Sequence, residues 1–295
     1  MNIRLGSRPS RLAIRQAELV AESLRAIGVD STIIEVESLG DNMKDEPLFS
    51  MSDRGVFVSK LNEALMRGEI DAAVHSAKDL PSVLTEGVVI SAVLPREDPS
   101  DVLVSSHTLK DMPPGSIIGS SSLRRIAMIK RFRPDLEVRN VRGNVDTRLK
   151  KLDKGEFSGI VIAQAGLSRL GLDPHRERLI DYGFVPAPAQ GIVAVVTGKN
   201  GKAYDLCQSI SHRETEIELE CERNLVRTLE LGCSSPAGIY CSLRPDSGID
   251  VAVSLYSRKT SEFIDVKETI KSPDYAVSLG KRIRERIPES FGYYL

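Results

Sequence analysis

The sequence predicts an α/β chain made of two α/β lobes followed by a small C-terminal α+β domain. Three observations predict it. Short apolar runs alternate with amphipathic helical stretches from residue 1 to about 95. The same alternation begins again and runs to about 189. Beyond 214 the order changes to one long helical stretch, three strand-like segments and a terminal helix. Alternating strands and helices build a largely parallel sheet with helices on its faces, whereas a run of strands builds an α+β unit. At 295 residues the chain is also long for a single core.

Each element has its own signal. Ile3–Gly6 reads as a strand, and Ser10 to Ile27 as a helix with Leu12, Ala13, Gln16, Leu19, Val20, Ser23 and Leu24 near helical spacing. Ser31 to Glu37 alternates like a strand, Phe57 to Met66 is helical, and Asp71–His75 and Val88–Val93 are strands. Asp98-Pro99 and Met112-Pro113-Pro114-Gly115 break the chain near the start of the second lobe. That lobe reads as strands at Val102–Val104 and Ile117–Ile118, a helix from Ser121 to Arg131, a strand at Glu137–Val141, a helix from Asn144 to Lys154 and a strand at Gly159–Ala163. Pro186-Ala187-Pro188-Ala189-Gln190-Gly191 closes it. The run Ile192–Val196 is apolar throughout, as a sheet centre requires, and is expected to return to the first lobe. Glu214, Glu216, Glu218, Glu220 and Glu222 recur at period two, which suits a strand. Leu219, Leu225, Val226 and Leu229 suit a helix, and glutamates near a helix start are favourable, so a helix is expected. Ile239–Leu243, Ile249–Tyr256 and Glu262–Thr269 form a meander, and Tyr275 to Ile287 a last helix. The expected domains are 1–95 with 190–213, then 96–189, then 214–295.

Composition excludes several classes. Net charge is -1, so the molecule as a whole is no polyanion binder. Between Ser116 and Gly155, however, eleven Lys/Arg face four acids, a local +7. That stretch has one aromatic, Phe132, and the chain has no Trp, so nucleic-acid stacking is poorly supplied and no nucleic-acid partner is expected. Most of the lysines read as a solvated face. No run approaches 18 apolar residues, so no membrane span is expected. Arg4, Arg8, Arg11, Arg15 and Glu18 interrupt the first 28 residues and argue against a signal peptide. Cys207, Cys221, Cys233 and Cys241 form no Cys-x-x-Cys pair, and with four scattered histidines no metal site is expected. Reduced thiols in a cytoplasmic setting are the expectation.

Five segments carry chemistry. Gly119-Ser120-Ser121-Ser122-Leu123-Arg124-Arg125 and Val141-Arg142-Gly143-Asn144-Val145-Asp146-Thr147-Arg148 place hydroxyls, a helix start and four arginines in one short region. A guanidinium fork matches a carboxylate two bonds at a time, and a helix start adds free N–H groups. Gly6-Ser7-Arg8-Pro9-Ser10 is a strand-to-helix turn, open to an anion at Arg8 or simply capped by Ser10. Val74-His75-Ser76-Ala77-Lys78-Asp79-Leu80-Pro81 follows a strand, and ligands sit beyond strand carboxyl ends in open parallel sheets. Asp79 is therefore placed for catalysis, although spacing alone favours a turn cap. Lys78 reads as a salt-bridge partner or an anion contact, and His75 as a packing or hydrogen-bonding residue rather than a base. Cys233, in the turn-rich Glu230-Leu231-Gly232-Cys233-Ser234-Ser235-Pro236, is either an accessible thiol or a small buried side chain.

Taken together, Ser7-Arg8-Pro9-Ser10, Val74–Pro81, Ser121–Arg125, Val141–Arg148 and Leu231-Gly232-Cys233 resemble, in the same order, the motifs of the porphobilinogen deaminase family, also called hydroxymethylbilane synthases. The resemblance covers nearly the whole chain. It implies two lobes like those of periplasmic binding proteins, with the active site between them, and a monomeric cytoplasmic transferase. It implies head-to-tail joining of four porphobilinogen molecules with loss of ammonia, on a dipyrromethane cofactor held by a thioether to Cys233. It implies Asp79 as the catalytic residue. Arg8, Ser10, Lys78, Ser122, Arg124, Arg125, Arg142 and Arg148 become contacts to substrate or cofactor. It also implies a lid over Asp41 to Gly55, where polarity alone suits a plain surface loop equally. After Gly55-Val56-Phe57-Val58 the family usually has Lys-Glu and this chain has Ser59-Lys60, so no lid contact is carried over. The rival expectation is a two-lobed anion-binding protein without catalysis.

Overall fold

In this computed structural model the described residues are 2–37, 53–232 and 235–291. Cys233 and most of the expected lid, residues 41–52, lie outside them. The chain forms two compact units, 1–97 with 192–217 and 98–191 with 218–295.

The first unit contains β1 (Asn2–Ser7), α1 (Arg11–Ala26), β2 (Asp30–Glu35), α2 (Asp53–Met66), β3 (Ala72–Ser76), β4 (Val88–Val93), β10 (Val193–Gly198) and α6 (Lys202–Gln208). Its sheet runs β2-β1-β3-β10-β4. α1 forms because Ser10 caps it and because Gln16, Ala17, Val20 and Leu24 fall on one face. Ala17, Val20 and Leu24 pack on Ile3, Leu5, Val74, Val193 and Val195 of the sheet. Full burial of one such side chain contributes about 1.5–3 kcal/mol. Truncation of Leu24 to Ala would cost about 2–5 kcal/mol.

The second unit contains β5 (Asp101–Ser105), β6 (Ile117–Gly119), α3 (Leu123–Phe132), β7 (Glu137–Arg139), α4 (Val145–Asp153), β8 (Gly159–Ala163), α5 (Gln164–Arg169) and β9 (Arg176–Arg178). It also holds α7 (Arg213–Thr228, from Glu218 on), β11 (Ala237–Leu243), β12 (Ile249–Tyr256), β13 (Phe263–Ile270) and α8 (Pro273–Glu285). Its larger sheet runs β7-β6-β8-β5-β9, and a smaller antiparallel sheet runs β11-β12-β13.

The two larger sheets share one strand plan. In each, the first strand of a parallel set lies second in order, flanked by the next two. An antiparallel strand then enters: β10 against β3 and β4, β5 against β8 and β9. The sheets are thus mixed rather than wholly parallel. β10 arrives after β5–β9 and runs antiparallel, so the right-handed rule for parallel crossovers does not apply to it. The α/β lobe architecture is as expected, including the return of the Ile192–Val196 run.

The period-two glutamates are helical, and the reason is visible. β11 is an edge strand, and Cys241 N and Leu243 N donate to Glu222 Oε1 (2.8 Å) and Glu218 Oε1 (3.1 Å). Carboxylates four apart on a helix meet N–H groups two apart on a strand, and the open edge is closed. β9 and α5 have no counterpart in the sequence reading. β9 is a three-residue charged edge strand, Arg-Glu-Arg, and α5 is too short to show a period.

Candidate active site

In the first unit, the turn after β1 carries Arg8, half-buried, and Ser10. Ser10 adopts an extended conformation and its Oγ accepts from Ala13 N at 3.3 Å, so the capping reading holds. Beyond β3, Ala77–Asp79 forms a single 3-10 turn, closed by Leu80 N donating to Ala77 O at 3.1 Å. Lys78 and Asp79 lie on it, both half-buried. Ala77 N donates to Ile192 O, which locks the turn to the strand-entry segment of β10. Gln16, buried, donates from Nε2 to Ser76 Oγ at 2.7 Å and ties α1 to the end of β3. His75 is buried, and its Nε2 meets no hydrogen-bond partner among the described residues. Burial pushes its pKa down to about 4, Asp79 partly opposes this, and Arg8 adds to it. The imidazole is neutral at physiological pH. The sequence reads His75 as a packing or hydrogen-bonding residue; it is buried within the field of Asp79 and Arg8.

In the second unit, Ser122 is the N-cap of α3, accepting from Arg125 N at 3.5 Å. Ser121 Oγ donates to Val141 O (2.8 Å) and accepts from Val141 N (3.1 Å), fastening the two motif loops together. Gly143 takes φ 105, and a Cβ there would lie 2.7 Å from Thr147 Cγ2, so the turn into α4 requires glycine. Its carbonyl accepts from Arg148 Nε at 2.8 Å.

The four arginines divide into two pairs. Arg124 and Arg125 are buried against Asp101, whose carboxylate is fully enclosed. Arg124 Nη1 donates to Asp101 Oδ2 (2.6 Å) and Val185 O (2.8 Å). Arg125 donates from Nε and Nη2 to Asp101 Oδ1 (3.0 and 2.7 Å) and from Nη1 to Val161 O (3.0 Å). Gln190 Nε2 adds a bond to Asp101 Oδ1 (2.8 Å). Burial opposes ionisation of Asp101, but the two guanidinium charges outweigh it and hold the carboxyl well below the usual range. Arg142 and Arg148 are half-buried and form no ion pair with a described residue. Burial and the neighbouring Arg125 charge pull the Arg148 pKa down to about 10, so it stays cationic near neutrality.

Sequence reasoning missed Asp101, Gln190 and Gln16. Asp101 had a signal: an acid opening a strand that is otherwise apolar and buried throughout. A buried carboxylate requires a cation, and Arg124-Arg125 is the nearest buried cationic pair. Three further arginines of the basic stretch are engaged in ion pairs: Arg131 with Asp265, Arg133 with Asp135 and Arg139 with Glu137. Among the described residues, no cluster of three or more His, Cys, Asp or Glu is placed to hold a metal ion, and no helix is long and apolar enough to cross a membrane.

The first unit thus carries a half-buried carboxylate on a turn beyond a strand, and the second carries a surface with surplus guanidinium charge. Residues 3–205 match the porphobilinogen deaminase, dipyromethane cofactor binding domain, and residues 217–289 match the porphobilinogen deaminase C-terminal domain. The chain is 42% identical over its full length to a probable porphobilinogen deaminase of Thermoplasma acidophilum, covering 100% of each chain. It is 42% identical to one of Picrophilus torridus, over 90% of this chain and 93% of that one. A more distant likeness of fold, at 13% identity and TM-score 0.43, links 71% of the chain to 89% of the solved methionine binding protein MetQ. The chain belongs to the porphobilinogen deaminase family, a family of transferase-type enzymes of porphyrin biosynthesis, and its first matched segment is the family's dipyrromethane-binding domain. A non-catalytic anion receptor is not favoured.

Proposed function

We propose that this chain is a hydroxymethylbilane synthase, joining four porphobilinogen molecules head to tail into hydroxymethylbilane with release of ammonia. One observation carries the reading. In a chain that matches this family over its whole length, Arg142 and Arg148 are without an ion pair among the described residues, and Arg148 stays cationic within the field of Arg125 in the Asp101–Arg124–Arg125 cluster, whose own charge is in surplus. A substrate with two carboxylates per pyrrole ring needs such cations, and the donor set suits dipyrromethane for the same reason.

Dipyrromethane, when bound, supplies the pyrrole carbon on which the product chain is extended. We assign its attachment to the Cys233 thiol through a thioether. Asp79 is the catalytic residue. Its carboxylate accepts the hydrogen bond of a pyrrole N–H and attracts the positive charge that builds as ammonia leaves porphobilinogen. At about 4 Å in a partly enclosed site that attraction is worth on the order of 4 kcal/mol. Arg8, Ser10, Lys78, Ser122, Arg142 and Arg148 hold acetate and propionate groups, with Arg124 and Arg125 adding charge from a position held by Asp101. The family models meet between residues 205 and 217, which supports treating 214–295 as a third domain that carries Cys233. The enzyme acts as a cytoplasmic monomer.

Intact-protein mass spectrometry tests the reading. The purified chain should exceed its sequence mass by two linked pyrroles, localised to Cys233 by peptide mapping, and a Cys233→Ser protein should lack the excess. A chain of unmodified mass that also fails to consume porphobilinogen would overturn it.

A further inference from the structure

Two of the four cysteines face each other inside the second unit. Cys221 lies on α7 and Cys241 on β11, and both are fully buried. Their Sγ atoms are 2.9 Å apart, although the residues stand 20 apart in sequence. A disulfide needs about 2.05 Å between sulfurs, so less than an ångström of approach separates the pair from a bond. The backbone around them is already fixed from both sides. Glu222, next to Cys221, accepts from Cys241 N at 2.8 Å and also from Ala189 N. The helix and the strand therefore cannot drift apart without breaking a buried carboxylate contact, and the two thiols are held at a high effective concentration. Cys207, in the first unit, is buried as well; burial pushes its thiol up to about 11, and it stays protonated.

We infer that Cys221 and Cys241 form an intramolecular disulfide when the protein meets a low-molecular-weight disulfide oxidant. The exchange balances. One cysteine thiolate attacks the oxidant and releases one small thiol. The second cysteine then attacks the mixed disulfide, forms the Cys221–Cys241 bond and releases the other small thiol. Two electrons pass to the oxidant, and the two thiol protons end on its products. The bond ties the ends of the segment that contains Cys233, so oxidation closes a covalent loop around that residue in the sequence. Because the pair is buried, exchange proceeds through transient opening of the α7–β11 packing. The bond forms slowly in the folded chain and, once made, resists reduction. This inference does not depend on the cofactor assignment.

The test uses the full chain as purified. It is incubated a few degrees below its thermal midpoint with oxidised glutathione or with dithiothreitol, then denatured, alkylated and digested. The oxidised sample should yield a Cys221–Cys241 cross-linked peptide and two fewer alkylated cysteines than the reduced one. Its melting temperature should be higher by about 5–10 °C, as expected for closing a loop of this length in a chain of this size. A Cys207→Ala chain should behave identically, and a Cys221→Ala/Cys241→Ala chain should lose the difference between the two treatments. Recovery of Cys221 and Cys241 alkylated after oxidation, or each capped by glutathione, overturns the inference.

Discussion

Asp101 and Arg125 share two hydrogen bonds, from Nε at 3.0 Å and Nη2 at 2.7 Å, both to one carboxylate oxygen that is shut off from solvent. Arg124 and Gln190 complete the coordination of that carboxylate. The strand start at 101, the helix start at 124–125 and the Pro-rich turn at 186–191 are thus joined by one buried charge. Removing it strands two buried cations. Asp101→Asn should destabilise the protein by about 3–5 kcal/mol, read as a lower urea midpoint with unchanged m. A midpoint within error of the parent would show that the cluster carries no net structural weight.

Asp79 presents the opposite profile. It sits half-buried on a short turn with no role in the core. Asp79→Asn should lower kcat by about 100-fold or more while the melting temperature stays put. Turnover equal to the parent would remove Asp79 from the chemistry.

The arginine pairs should separate in kinetics. Arg142→Ala and Arg148→Ala remove charges that pair with no described carboxylate, so stability should hold while KM for porphobilinogen rises. Loss of one charge-assisted hydrogen bond, about 1.5–3 kcal/mol, corresponds to about 10- to 150-fold. Arg125→Ala should instead unfold at lower urea. Equal stability losses in all three variants would contradict the division.

His75 sets a pH dependence of known sign. Burial lowers its pKa in the folded state to about 4, from an ordinary value near 6.5. The unfolded chain therefore binds a proton that the folded chain refuses. The stabilisation is complete above about pH 6.5 and is lost progressively as pH falls toward 4, by up to about 3 kcal/mol. Asp101, with its depressed pKa, contributes its own loss only below the ordinary aspartate range. Urea unfolding between pH 7 and 4 should show this fall, and a His75→Gln chain should show a flatter one. Parallel curves for the two proteins would place the pH sensitivity elsewhere.

Local patterns made much of the fold legible. The spacing of Ala17, Val20 and Leu24, the caps Ser10 and Ser122, and the apolar run that became β10 all act over a few residues, and each is recorded in the order of the side chains. The motif loops were readable for the same reason. Where sequence alone left two answers, as with the alternate glutamates, the deciding partner lay elsewhere: the edge of β11, some 20 residues on, turns two of those carboxylates into strand caps.

By itself the sequence determined the lobed α/β class, the family motifs and the residue types able to meet a polyanionic substrate, because periodicity and motif order are properties of neighbours in the chain. Only the tertiary structure decided which arginines are engaged by a buried carboxylate and which have no ion pair among the described residues. Asp101 reaches Arg125 across 24 residues and Gln190 across 89. Whether a guanidinium finds a carboxylate depends on which strands lie side by side, and no local spacing records that.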